Sequence, residues 1–232
     1  SFTNQCRVHA GYHYPRSPRT VRECMESEVG FRQEFPGAIV DSPHEAHFYC
    51  ISKSNSLVTA EEYLEFCRNL NLEVEEARCP FVNQNLISLC VRVPEKRIDI
   101  SLLRRVAIRK LNHRKIRLIL GTRATPPILE NYDFVILATY AQYNELAWQV
   151  AGKKKRLQFE LCEKPVVTMP REFKGTSIVI MDGPFMCIDP FISNSTYVLG
   201  NVVWAIHQEK VGYRLNPRKD LAPLLNIGIV RR

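Results

Sequence analysis

Residues 1–16, SFTNQCRVHAGYHYPR, hold the densest set of side chains able to do chemistry. Ser1, Thr3, Asn4, Gln5, Arg7, His9 and His13 are interleaved with Gly11, Tyr12, Tyr14 and Pro15 in neither a helical nor a strand period. Such a segment reads as a loop, and donor-rich loops are where ligands are held. An imidazole of ordinary pKa, about 6.5, can take or give a proton around neutrality, so His9 is a candidate base or hydrogen-bond donor; a satisfied structural histidine is the other reading. Arg7 offers a fixed fork of donors, suited to an anionic group or to a structural salt bridge. His9 and His13 stand four apart, as a metal pair on a helix would, but Gly11 and Pro15 argue against a helix and no third ligand is evident. No metal is expected.

Elsewhere the chain carries no GxGxxG, Walker, GxSxG or HExxH motif, and neither an internal repeat nor a low-complexity tract. Its eight cysteines, Cys6, Cys24, Cys50, Cys67, Cys79, Cys90, Cys162 and Cys187, are scattered mostly in apolar stretches without metal spacing. They read as buried, reduced thiols of a cytoplasmic protein. The net charge of +8 is dispersed, and the densest basic run, 153–156, has no interleaved aromatic residue for base stacking, so a solvated surface rather than nucleic acid is expected. No run approaches the roughly 20 apolar residues of a bilayer span, and the first residues lack the basic start and apolar stretch of a signal peptide. Neither a membrane nor secretion is expected. At 232 residues and 45% hydrophobic content, the chain is globular and long enough for one large domain or two small ones.

The elements that position the loop follow from capping and periodicity. Ser17-Pro18 has the form of an N-cap and N1 proline, after which Val21, Cys24, Met25, Phe31 and Phe35 keep approximate helical spacing. Thr59 and Glu62 form a capping box before Tyr63, Leu64, Phe66 and Cys67. Asp99 caps a third helix carrying Leu102, Leu103, Val106 and Leu111. Strands are expected at 46–51, 86–93, 116–120, 134–139, 157–162, 177–181 and 197–206. The run FVILA at 134–138 reads as a strand buried on both faces. After Lys155 strands follow one another with little helix between, as in an antiparallel sheet, so two structural styles are interleaved in a mixed α/β chain.

The opening segment resembles the D-amino-acid-oxidase-like FAD-dependent oxidoreductases, in which a segment of the form S-x-x-N-Q-x-R-V-H-x-G-Y-H-Y-P-R follows the second strand of the FAD domain. VRVPEKRIDISLLRRV (91–106) looks like that family's crossover back into the FAD domain. IRLILGTRA (116–124) and NYDFVILATY (131–140) look like its later strands, ending in an A-T motif beside the cofactor. TSIVIMDGPFMCIDPF (176–191) and YVLGNVVWAIHQ (197–208) resemble its substrate-domain strands, with a G-P-F turn between two sheet segments. Tyr140 departs from the pattern, since glycine or tryptophan commonly follows the A-T motif.

The resemblance implies a partial FAD/NAD(P)-binding Rossmann-like domain, in segments 1–36, 94–145 and 213–232, interleaved with an antiparallel-sheet substrate domain in 37–93 and 146–212. It implies an internal fragment, with the GxGxxG before Ser1 and the C-terminal FAD-binding segment after Arg232. It implies transfer of a hydride from an amine or hydroxy-acid type substrate to flavin N5, the complete chain being needed for activity and for tight FAD binding. In that reading Arg7 and His9 are catalytic. Ser1, Thr3, Asn4, Gln5, Arg7, Val8, His9, Ala124, Ala138 and Thr139 contact FAD, and Tyr12, His13 and Tyr14 meet a small-molecule substrate. A flavin-fold protein without catalysis, serving as a binding or scaffold module, stays open beside it.

Overall fold

In a computed structural model the chain is described at residues 5–183, 185–191, 195–201 and 203–221. The elements in order are β1 (Arg7–Val8), α1 (Pro18–Glu34), β2 (Ile39–Val40), β3 (Ala46–Ser52), α2 (Ala60–Asn69), β4 (Glu75–Glu76), β5 (Ile87–Val93), β6 (Lys96–Ile98), α3 (Ile100–His113) and the single turn α4 (Pro126–Leu129). They continue with α5 (Tyr143–Ala151), β7 (Leu157–Cys162), β8 (Val166–Thr168), β9 (Thr176–Met181), β10 (Met186–Pro190), β11 (Thr196–Asn201) and β12 (Ile206–Gly212). The fold is mixed α/β. Two compact units divide it, one from the described residues of 1–115 and 164–203, the other from 116–163 and the described residues from Trp204 onward.

The first unit is built on a seven-stranded sheet in the order β4-β5-β3-β9-β10-β11-β8. Every pairing is antiparallel except β3 with β9. Alternation along the strands sorts their side chains onto two faces. Tyr49, Ile51, Leu89, Val91, Val179 and Met181 pack with Tyr63 and Cys67 of α2 on one face. Phe48, Cys50, Ile87, Ile178 and Ile188 pack with Phe173 and Tyr197 on the other. β3 is therefore covered on both sides, which is why its sequence is apolar at successive positions from Phe48 to Ile51. A smaller sheet, β1-β6-β2, joins residues 7–8 to β6.

The helix starts follow the cap chemistry. Ser17 Oγ accepts from Thr20 N, the Thr59–Glu62 box is reciprocal, and Asp99 Oδ1 accepts from Ser101 N and Leu102 N. Each satisfies backbone donors that have no partner within the helix. One backbone crossing depends on glycine: Gly175 has φ +73°, its carbonyl accepts from Ala46 N, and a Cβ there would run into the His44 carbonyl oxygen. Gly175→Ala is expected to destabilise by more than about 2 kcal/mol, from left-handed strain plus a forced shift of the 44–46 backbone; an unchanged urea midpoint would refute this.

In the second unit β7 and β12 pair antiparallel, and Asn144 of α5 ties two backbone segments by donating to the Lys155 and Tyr213 carbonyls. Three expectations are corrected here. Residues 116–120 and 134–139 form no strand, and Phe134 and Ile136 of the expected buried run are 93% and 91% exposed. Among the described residues nothing pairs with either segment, and an apolar β-rich run becomes a strand only where a neighbour accepts its ladder hydrogen bonds. The single strand expected at 197–206 is two: β11 ends at Asn201, and β12 begins at Ile206 in the other sheet. Of the eight thiols expected to be buried, Cys162 is exposed and Cys24 and Cys187 half-buried, because their strand or helix faces are not fully covered.

Candidate functional site

The chemistry converges on one face of the seven-stranded sheet. Register places His47 and Tyr49 of β3, Ser177 and Val179 of β9, and Cys187 and Asp189 of β10 on the same side. Within the loop expected at 1–16, described from Gln5, residues 7–8 form β1, whose pairing with β6 brings Arg7 over this face and beside Glu95. Both the Arg7 and Glu95 side chains are essentially inaccessible to solvent.

Arg7 is fully engaged by the protein. Its Nε donates to Asp189 Oδ1 at 2.9 Å, Nη1 to Tyr49 Oη at 2.9 Å and Glu95 Oε2 at 3.3 Å, and Nη2 to Asp189 Oδ1 at 2.5 Å and to Ser177 Oγ. That is five bonds for the five N–H groups of a guanidinium. Tyr49 Oη in turn donates to Glu95 Oε2 at 2.7 Å, and Ser177 Oγ to Asp189 Oδ1 at 2.5 Å. Burial works against the Arg7 charge, but Asp189, the Tyr49 oxygen and Glu95 outweigh it and hold the guanidinium above its ordinary pKa. Burial and the Glu95 carboxylate push the Tyr49 phenol far up.

The network reaches the loop through Glu95 Oε1, which accepts from Ala10 N at 3.0 Å and lies 3.8 Å from His9 Nδ1. His9 and His13 are half-buried, their ring centroids 6.3 Å apart, and the Nδ1 atoms of both are buried without a partner. Burial lowers the pKa of both; Glu95 opposes the shift at His9, and His9 and Arg7 add to it at His13. Both rings are therefore neutral at neutral pH.

A cleft of about 560 Å³ opens beside them. Gln5, Arg7, His9 and His13 line it from the loop, Val179 and Met181 from β9, Phe185 and Cys187 from the following turn and strand, and Ile100 and Leu103 of α3, Lys164 and Asn201 are also in its lining. Gly200 makes its wall thin: a Cβ there would meet Cys187 Sγ at 2.5 Å and Lys164 Nζ at 3.4 Å.

Among the residues read from sequence, Gln5, Arg7, His9 and His13 meet at this cleft. Val8 and Tyr12 are buried beside it, the latter donating its hydroxyl to Glu73 O, and Tyr14 packs against His9 and His13. Ser1, Thr3 and Asn4 lie outside the described residues, as does Pro184 of the G-P-F turn. Ala124, Ala138 and Thr139 belong to the second unit, where the two alanines are exposed and Thr139 Oγ1 is buried without a partner. Glu95, Asp189, Ser177, Tyr49 and Lys164 were not singled out. A lone carboxylate inside the apolar run MCIDPF is a signal that finds Asp189, since such a group stays buried only when paired.

No family model matches the chain, and no curated protein matches it. Among solved structures it is similar to glycine oxidase from Geobacillus kaustophilus, with a TM-score of 0.57 and 13% identity over 91% of this chain and 62% of that one. It is also similar to L-proline dehydrogenase from P. horikoshii, with a TM-score of 0.60 and 12% identity over 94% of this chain and 63% of that one. The likeness is one of fold, and the chain spans 62% and 63% of the two structures' lengths. No helix among the described residues is long and apolar enough to cross a membrane.

Proposed function

We propose that this chain forms the flavin-ring and substrate-facing part of an FAD-dependent oxidoreductase acting on a small amine or hydroxy acid. The observation that carries the proposal is the cleft itself, where the polar loop meets one sheet face in a fold similar to an oxidase and a dehydrogenase of amino acids by name. Its volume falls within the roughly 300–1,000 Å³ of small-molecule sites. Gln5, His9, His13 and Asn201 supply the few polar groups such a site needs, and Phe185, Val179 and Met181 the apolar wall.

FAD, when bound, supplies a hydride acceptor at N5. His9, neutral at working pH, takes the proton from the substrate's amine or hydroxyl. Arg7, clamped between Asp189 and Glu95, sets the field at the cleft floor and fixes His9 through Glu95 and Ala10. His13, with Tyr12 and Tyr14 behind it, shapes the substrate side. Ser1, Thr3, Asn4, Gln5, Val8, Ala124, Ala138 and Thr139 as cofactor contacts belong to the same proposal, as does the division into flavin segments (1–36, 94–145, 213–232) and substrate segments (37–93, 146–212). A cytoplasmic setting belongs to the same proposal, supported by thiols that are mostly buried.

The reading includes weak retention of FAD by residues 1–232 alone, and hence no activity from them. A pyrophosphate needs an unencumbered helix N-terminus. Among the described residues α3 starts on the Asp99 carboxylate, α2 has Glu61 and Glu62 in its first turn, α1 has Pro18 at its start with Ser17 bonded to Thr20, the single turn α4 opens on Pro126, and α5, whose N-cap makes no side-chain bond, carries Glu145 in its first turn. Flavin absorbance of the protein expressed from its entire reading frame, bleaching when amino or hydroxy acids are added without oxygen, is the expected result. Flavin that never bleaches across the panel would favour a non-catalytic flavin-fold protein, absent flavin would overturn the proposal, and stoichiometric FAD on residues 1–232 would overturn its second part.

A further inference from the structure

The sheet face that packs on Phe173 and Tyr197 carries three thiols in one cluster. Register sets Cys50 of β3 directly opposite Cys90 of β5, and Cys79 packs beside them. Cys50 and Cys79 are fully buried, and Cys90 is 6% exposed. The Cys50 thiol donates to the Cys90 sulfur, and so does the Cys79 backbone N–H. Donors of this kind favour a thiolate: the bond from Cys50 chiefly, then that from Cys79, lowers the pKa of Cys90 although burial opposes them. The same bond and burial push Cys50 up, so the shared proton stays on Cys50. Burial raises Cys6, Cys24, Cys67, Cys79 and Cys187 instead.

Directly opposed residues of an antiparallel pair have Cα atoms about 4.5 or 5.5 Å apart, inside the span of about 4.4–6.8 Å that a disulfide bridges. Their Cβ atoms stand about 4.5–5.5 Å apart, so an approach of about 1 Å allows the bond. A small oxidant also has a way in. An apolar cavity of about 450 Å³ on this face is lined by Ile178, Ile180 and Ile188 and, where it meets solvent, by the exposed Phe81 and Leu86. Ile180 is the β9 residue paired with Cys50, so the cavity ends next to the thiol pair.

We propose that Cys50 and Cys90 are a peroxide-reactive dithiol, Cys90 the attacking and Cys50 the resolving sulfur, which a small hydroperoxide converts to a disulfide across β3 and β5. The proposal stands independently of the flavin reading. The Cys90 thiolate attacks one peroxide oxygen; an S–O bond forms, the O–O bond breaks, and the hydroxide released takes the Cys50 proton and leaves as water. The Cys50 thiolate then attacks the Cys90 sulfur, the S–O bond breaks, and the second hydroxide leaves as water with the proton that Cys90 gave up. Two electrons pass from the two sulfurs to the peroxide, and the sum is two thiols and one hydrogen peroxide to one disulfide and two waters.

The experiment treats the folded 232-residue chain with hydrogen peroxide, removes the excess with catalase, blocks remaining thiols with iodoacetamide under denaturing conditions, and maps tryptic peptides by mass spectrometry. Cys50 lies in peptide 33–53 and Cys90 in peptide 79–92, together with Cys79. The expected result is a linked pair of these peptides, separated by dithiothreitol, whose fragments place the bond at Cys90, with Cys50 and Cys90 lost together from the alkylated pool. Cys79→Ser is expected to keep the link, and Cys50→Ser and Cys90→Ser to abolish it, with thermal melts matching the parent's. Should a serine variant not fold, the fragment map of the unaltered chain decides alone. Both thiols still alkylated after peroxide, Cys90 carried to sulfinic acid with Cys50 still alkylated, or a bond placed at Cys79 would each overturn the assignment.

Discussion

Arg7→Met is expected to destabilise the chain by about 3–5 kcal/mol, the loss seen when one partner is removed from a buried charge network. Methionine keeps much of the stem volume, so the effect is electrostatic. Glu95 and Asp189 both have side chains without solvent access, and each would lose its cation while staying beneath the sheet face. Tyr49 Oη and Ser177 Oγ still donate to them, but two neutral hydroxyls do not balance two carboxylates. Since typical domains are stable by about 5–15 kcal/mol, the variant is expected to lose much of its folded population. Arg7→Met combined with Glu95→Gln and Asp189→Asn removes the uncompensated charge and is expected to regain a large part of the loss. Arg7→Lys is expected to fall between, because three donors replace five and the Nε–Nη fork onto Asp189 is gone. Urea midpoints of the four proteins decide the matter. A single variant as stable as the parent, or a triple variant no better than the single, would show that the network contributes little.

The same network explains how far the sequence could be read. The helix starts at Ser17, Thr59 and Asp99 were legible because a cap is a conversation between residues two or three apart. β3 was legible because both its faces are covered, so its apolar run needs no phase to be recognised. The 134–139 run has the same composition and no strand partner, and composition alone does not supply one. The site divides along the same line. Donor-rich residues 5–13 announce a ligand loop locally, and Gln5, Arg7, His9 and His13 do meet at the cleft. The partners of Arg7 lie 42, 88, 170 and 182 positions away, and only the register of β3, β9 and β10 brings Tyr49, Ser177 and Asp189 to one side while β1–β6 pairing adds Glu95. Lys164 was hidden for a different reason. Nothing in its neighbours distinguishes it from a surface lysine until the structure places it in the lining of the cleft.

His47 is the second group whose removal is expected to have a large effect, this time on acid stability. It sits in β3 at 3% exposure with both ring nitrogens unpartnered, and Glu45 Oε2, itself unpartnered, is 3.9 Å from its Nε2. Burial is the main reason its pKa falls to about 3; the Arg7, Arg97 and Lys96 charges lower it further and Asp189 resists. The unfolded chain carries an ordinary histidine of pKa about 6.5. Above that pH the ring is neutral in both states and contributes no slope. As the pH falls from about 6.5 toward about 3, the unfolded chain binds a proton that the folded one refuses, so stability is lost at up to roughly 1.4 kcal/mol per pH unit. His9 and His13 are shifted in the same direction and add to the slope. His47→Leu removes both the proton site and two buried unpartnered nitrogens, so at pH 7 it is expected to be neutral or slightly stabilising. Between pH 6 and 4 its urea midpoint should fall less steeply than the parent's, opening a gap of about 2 kcal/mol or more by pH 4. Carboxylate protonation acts on both proteins alike and cancels in that difference. Parallel midpoint curves would mean that His47 takes up its proton in the folded state as readily as in the unfolded chain, and that the covered sheet face admits charge more easily than its burial implies.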